Sequence, residues 1–188
     1  LIDAVPALRA RVPKVRVLIA GIGVEAEALK AQAAALGVAD TVRFLGRVSE
    51  EDLLLAYRAA DITVVPTVAL EGFGLVVPES LAAGTPVLVT PVGALPETVE
   101  HLAPQMILEA ATSEAIATGL AEAFDGTRAL PDAARCAAFA RANYDWAIIA
   151  RRVDVRDGGA FIVIARRVSG SVRVTLDWRS IVAIAGGV

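Results

Sequence analysis

Apolar positions recur along this chain in two alternating rhythms. Ile2, Val5, Leu8 and Val12 fall at helical spacing, so residues 1–11 read as the end of a helix. Val15 to Ala20 predicts a first strand. Gly21-Ile22-Gly23 then turns into a helix over Val24 to Leu36, which Gly37 ends. Thr41 to Leu45 reads as a second strand, with Gly46-Arg47-Val48 as the loop after it. Ser49 and Asp52 have the form of a capping box, with Asp in place of the usual Glu or Gln, ahead of a helix over Glu50 to Ala60. Ile62 to Val65 is a short β-branched run, as a buried parallel strand requires, and Pro66 stops it.

The same alternation continues. A helix is predicted from near Val76, with Pro78 tolerated only in its first turn and Gly84 at its end. Val87 to Thr90 is a strand, Ala94 to Val99 a short helix, Met106 to Leu108 a further strand. Thr112 to Phe124 and Pro131 to Asn143 are helices, separated by a break at Asp125-Gly126. Strands alternating with helices predict an α/β fold with a doubly wound parallel sheet. In such sheets ligands sit at the carboxyl ends of the strands. The loops at 21–23, 46–48, 66–74 and 91–96 all belong to that edge.

One of these loops carries candidate chemistry. Glu71-Gly72-Phe73-Gly74 joins a strand to a helix N-terminus, where free N–H groups and the positive end of the helix dipole favour an anion. Glu71 and Glu79 bracket that loop, eight positions apart. A carboxylate is a poor phosphate ligand but a good acceptor for sugar hydroxyls. A phosphate site between two polyol acceptors describes a nucleotide sugar.

Composition narrows the partners. The chain has 188 residues, enough for one domain, and is 56% hydrophobic but only 5% aromatic, which suits a buried sheet flanked by Ala-rich helices. Its net charge is −3 and it has no run of five or six like charges, so nucleic acid or an anionic membrane surface is not the main partner. The longest uncharged stretch, Ser80 to Pro96, holds two glycines and three prolines and is no membrane span. The single cysteine, Cys136, excludes an internal disulfide, fits a reducing compartment and reads as a small core residue. No Cys/His cluster or Asp-x-Asp pair points to a metal, and no resident cofactor is called for.

The framed motif Glu71-Gly72-Phe73-Gly74-Leu75-Val76-Val77-Pro78-Glu79 resembles the E-x7-E signature of retaining glycosyltransferases with the GT-B fold. This large group includes sucrose synthase-like and mannosyltransferase-like enzymes. The resemblance extends through Ala59-Ala60-Asp61 and Pro66 before the motif, and Gly84-Thr85-Pro86-Val87, Val92-Gly93 and Pro96-Glu97 after it. It covers residues 1–150 and implies the Rossmann-like, donor-binding half of such an enzyme. By that resemblance Glu79 holds the ribose and Glu71, the catalytic carboxylate, the donor sugar. The N–H groups of Gly72, Phe73, Gly74 and Leu75 face the diphosphate, Gly46, Arg47 and Val48 lie near the base, and Gly93 lines the donor site. The resemblance further implies an N-terminal acceptor domain, and an upstream strand ending in an Arg and a Lys that neutralise the diphosphate. The chain therefore reads as a fragment without turnover of its own. Ala94 and Pro91 replace a frequent glycine and a frequent acidic residue where the donor sugar is expected. A cytoplasmic setting follows, with peripheral association at the inner face of the membrane left open through the N-terminal domain.

Other readings compete. Gly21-Ile22-Gly23 invites a dinucleotide site, but Ala26 stands at the third glycine position and Leu45-Gly46-Arg47 where a ribose-binding acid belongs. Glu71 and Glu79 as a glycosidase pair would leave the glycine loop without a role. Glu79 as a plain solvent-facing helix residue is the bland alternative. So is exposure for Arg47 and His101, and a tethering or capping role for Asp61 and Glu97. In other function classes stand a non-catalytic nucleotide-sugar-binding module, and an epimerase or phosphorylase of the same fold. Residues 151–188 form a tail of unassigned role, with no Glu or Lys and a β-rich pattern. Val172 to Trp178 alternates as a half-buried strand, and Ser169-Gly170-Ser171 could turn the chain into it from Phe161–Ile164.

Overall fold

The computed structural model describes residues 1–150, together with the backbone of residues 166–168 and 171–173. The chain divides into two compact units, Leu1–Asp145 and Trp146–Val188. In the first, a 3-10 turn (Ile2–Ala4) runs into α1 (Val5–Arg11), followed by β1 (Val17–Ala20), α2 (Ala26–Ala35), β2 (Val42–Gly46) and α3 (Glu50–Ala59). Then come β3 (Thr63–Val65), α4 (Val76–Ala83), β4 (Val87–Val89), α5 (Leu95–Val99), a second 3-10 turn (Pro104–Met106), α6 (Ser113–Asp125) and α7 (Ala133–Tyr144).

Local chemistry sets the helix ends. Ser49, Thr112 and Asp132 accept the N–H groups of Asp52, Ala115 and Arg135 at 3.0, 3.1 and 2.8 Å. Such caps contribute about 1 kcal/mol each. The box at Ser49 closes differently from the usual pattern, because Asp52 takes a bond from the Ser49 hydroxyl itself, at 2.8 Å. Gly84 ends α4 in the left-handed region (φ 94°), where its N–H bonds to Leu81 and that of Thr85 to Ser80.

The strands pair in parallel, as the α/β alternation predicts. β1 lies on β2 with Val17 opposite Val42, and β3 on β4 with Thr63 opposite Val87. Ile107 adds a parallel bridge to Val89. Among the described residues the ladders form two pairs rather than one continuous sheet. Side chains join the layers instead: Val15, Leu88, Leu8, Ile116 and Leu120 share one core cluster with the half-buried Ile62 and Val64. A second cluster holds Val77 and Leu81 of α4, Val87 and Val89 of β4, Leu95 and Val99 of α5, and Cys136 and Ala140 of α7. A third packs Ile2 and Val5 against Ala33, Val38 and Val42. Each such aliphatic side chain, fully buried, contributes about 1.5–3 kcal/mol.

Several expected boundaries move by a residue or two, three of them for reasons visible in the backbone. β1 starts at Val17, because the Val15 N–H is taken by Val12 in a turn. α2 starts at Ala26, whose N–H closes a turn onto Gly23 and leaves Val24 fully in solvent. The expected strand over Met106 to Leu108 shrinks to the Ile107 bridge, because Pro104 starts a 3-10 turn that takes in Met106. In the second unit, residues 146–150 are helical. β5 (Arg166–Val168) pairs antiparallel with β6 (Ser171–Arg173). Ser171 thus belongs to the strand rather than to the turn before it. Residues 161–164 and 174–178 of the expected hairpin lie outside the described residues.

Candidate functional site

The loop from Pro66 to Leu75 carries the backbone from the end of β3 to the start of α4. Pro78 is the third residue of α4, where a missing N–H costs nothing. Upstream of it, the N–H groups of Gly72, Phe73, Gly74 and Leu75 find no acceptor among the described residues. They sit at the positive end of α4, with Gly72, Phe73 and Leu75 exposed.

Two glycines let this loop settle. Gly93, in the loop after β4, has φ 57° and lies so close to Glu71 that a Cβ would collide with the Glu71 carbonyl oxygen. That carbonyl accepts the Ala94 N–H at 3.3 Å. Gly74 (φ 74°) faces Leu95, whose Cδ2 would lie 2.6 Å from a Cβ there. Leu70 holds a left-handed φ of 56° with its side chain fully exposed. For a non-glycine residue this costs about 1–2 kcal/mol. Strain is thus stored beside Glu71.

Each glutamate is held by a hydroxyl. The Thr67 hydroxyl donates to Glu71 Oε2 at 3.2 Å, and the Thr67 carbonyl accepts from Thr90 Oγ1 at 2.6 Å. Half-buried Glu71 is thereby tied to the carboxyl ends of β3 and β4. Glu79, exposed on α4, accepts from the Tyr57 hydroxyl of α3 at 3.0 Å. Burial, then the charge and hydrogen bond of Glu79, push Tyr57 ionisation far above the ordinary phenol range, so it stays a donor. Phe73 packs edge-on against Tyr144 of α7, ring centroids 5.8 Å apart, and the Tyr144 hydroxyl donates to the Thr98 carbonyl at 2.7 Å. The loop tip is thus pinned to α5 and α7.

The remaining expected site residues lie at the end of β2 and on the loop after it. The Gly46 carbonyl accepts the Gly21 N–H at 2.8 Å, joining the loops after β1 and β2. Arg47 is exposed and makes no ion pair among the described residues; Val48 is half-buried. α3 connects this loop to Glu79, starting after Ser49 and ending past Tyr57. Asp61 and Glu97 are exposed and make no side-chain hydrogen bond among the described residues, so neither tethers or caps its neighbours. The His101 side chain is largely exposed, as expected. No cluster of three or more metal-ligating side chains lies among the described residues. Cavities of about 380 and 460 Å³ occur at Arg11–Lys14 with Phe124, and beside Arg128, and neither includes the glycine loop.

Residues 1–143 match the family described as glycosyl transferases group 1. The chain belongs to that family. Among curated relatives, the GDP-mannose-dependent alpha-(1-6)-phosphatidylinositol monomannoside mannosyltransferase of Mycobacterium tuberculosis is 31% identical over 160 residues, 81% of this chain and 42% of the relative. A D-inositol 3-phosphate glycosyltransferase of Mycobacterium sp. (strain KMS) is 47% identical over 95 residues, 48% of this chain and 21% of the relative. Among solved structures, sucrose-phosphate synthase from Thermosynechococcus elongatus superposes with a TM-score of 0.66 at 26% identity, over 82% of this chain and 40% of its own. HepE from Anabaena, solved with UDP, gives 0.69 at 24% identity over 81% of this chain and 43% of its own, a likeness of fold. The group 1 family and the Rossmann-like α/β fold expected from the E-x7-E frame are therefore borne out. The chain spans about two fifths of the length of the mannosyltransferase relatives.

Three residues at the site escaped the sequence reading. Thr67 lies four positions before Glu71, a spacing that could have marked it. Tyr57 and Tyr144 come from helices whose placement no local pattern encodes.

Proposed function

We propose that this chain is the donor-binding region of a glycosyltransferase. It takes a nucleotide-diphospho-sugar and serves retaining transfer of a hexosyl group to an acceptor held by a domain N-terminal to it. The observation that carries the reading is the row of N–H groups at the start of α4 that find no acceptor among the described residues, flanked by Glu71 and Glu79. The N–H row receives the diphosphate and stabilises it as the bond from the sugar to the phosphate oxygen breaks. Glu79 accepts the ribose hydroxyls. Glu71 accepts hydroxyls of the donor sugar and acts as the catalytic carboxylate. Gly46, Arg47 and Val48 lie near the base, and Gly93 lines the donor site beside Glu71.

The relatives support this: one is named as GDP-mannose-dependent, and HepE has been solved with UDP and with UDP-glucose. No helix among the described residues is long and apolar enough to cross a membrane. The proposal places the chain in the cytoplasm, with peripheral membrane contact through the acceptor domain. The isolated 188-residue chain is expected to bind donor without transferring sugar. Titration calorimetry with UDP-glucose, GDP-mannose and their free diphosphates tests this. Saturable binding of a nucleotide sugar is expected, and binding of none of them would overturn the reading.

A further inference from the structure

We propose that Tyr57 is a positioning residue that presets Glu79 for the ribose. This rests on the ribose role assigned to Glu79 above. Glu79 projects from an exposed helix face, where a glutamate side chain ordinarily samples several rotamers. Here its Oε2 is already engaged by the Tyr57 hydroxyl at 3.0 Å. A carboxylate offers about four acceptor sites, so one bond to Tyr57 leaves Oε1 and half of Oε2 for two vicinal hydroxyls. The phenol is not the sole tie of α3. That helix is also joined through its backbone to the connection between α4 and β4, since Thr85 Oγ1 donates to the Tyr57 carbonyl at 2.6 Å. Replacing the hydroxyl alone therefore leaves that link in place.

The ordering that Tyr57 supplies is done before ligand arrives. Immobilising a side chain of this kind on binding costs about 0.5–1.5 kcal/mol. Tyr57→Phe should thus weaken UDP or GDP, whichever the unsubstituted chain binds more tightly, by roughly three- to tenfold. The 2′,3′-dideoxy form of the same diphosphate, lacking the hydroxyls Glu79 would accept, should bind Tyr57→Phe and unsubstituted protein alike. In a Glu79→Ala background, Tyr57→Phe should have no further effect, and its melting temperature should stay with that of the unsubstituted chain.

The outcomes separate. Equal weakening of the natural and dideoxy ligands by Tyr57→Phe would overturn the proposal, since Tyr57 would then act on the loop or the base. No weakening by Tyr57→Phe beside a clear loss in Glu79→Ala would also overturn it, while leaving the ribose role of Glu79 standing. Unchanged binding in Glu79→Ala would remove that role, and the proposal with it. A ribose-dependent loss confined to backgrounds that retain Glu79 is the result the geometry requires.

Discussion

Gly93 and Glu71 share a space that admits no side chain. The Gly93 Cα approaches the Glu71 carbonyl so closely that a Cβ would collide with it, in a backbone conformation that L side chains rarely adopt. Gly93→Ala should push the Glu71 loop outward. The strain alone costs about 1–2 kcal/mol, and the collision adds to it. Urea unfolding should show at least that loss, and calorimetry should show weakened nucleotide-sugar binding. Gly23→Ala is the control, since Gly23 has open space around it and no left-handed φ. Equal behaviour of the two variants would show that the loop contact does not position Glu71. At this scale the two glutamates and the glycine loop stood out as candidates from their place between a strand and a helix N-terminus and from the motif that frames them. What holds them could not. Tyr57 meets Glu79 across 22 positions of chain, by helix packing rather than by periodicity.

The helices and strands were readable wherever a local rule dominates. Pro78 marked the first turn of α4 and Gly84 its end, because each has few other places to sit. Boundaries slipped where a turn competes with a strand, as at Val15 and Met106. How the ladders divide was not readable, since strand neighbours are chosen by tertiary packing. The α4–α7 contact shows such packing at work. Cys136 of α7 is buried against α4, its Sγ 3.7 Å from the Pro131 carbonyl. Burial, with Asp132 adding to it, pushes the thiol up to about 11. The folded value lies above that of the unfolded chain, about 8.5. The thiol's contribution to stability is therefore intact below that unfolded value and lost as pH rises through about 11. Urea midpoints from pH 8 upward should fall more steeply for the unsubstituted chain than for Cys136→Ala. In the native protein at pH 8 the thiol should also resist disulfide reagents. Rapid labelling without unfolding would contradict the packing.

At the scale of the whole molecule, the proposed chemistry lies on exposed residues of the loop before α4 and of α4 itself, Gly72, Phe73, Leu75 and Glu79. Its contributions to the proposed donor site are a helix N-terminus and two carboxylates held by neighbouring hydroxyls. The account predicts that these carboxylates see different parts of one ligand. Titration calorimetry of Glu79→Ala and Glu71→Ala, with a nucleoside diphosphate and its nucleotide sugar, tests this most directly. Hydrogen bonds to a charged acceptor contribute about 1.5–3 kcal/mol. Glu79→Ala should therefore weaken the free diphosphate by roughly ten- to a hundredfold. Glu71→Ala should leave the diphosphate nearly unchanged and weaken the intact nucleotide sugar. Diphosphate binding unaltered in both variants, or lost equally in both, would contradict the division of labour between Glu71 and Glu79.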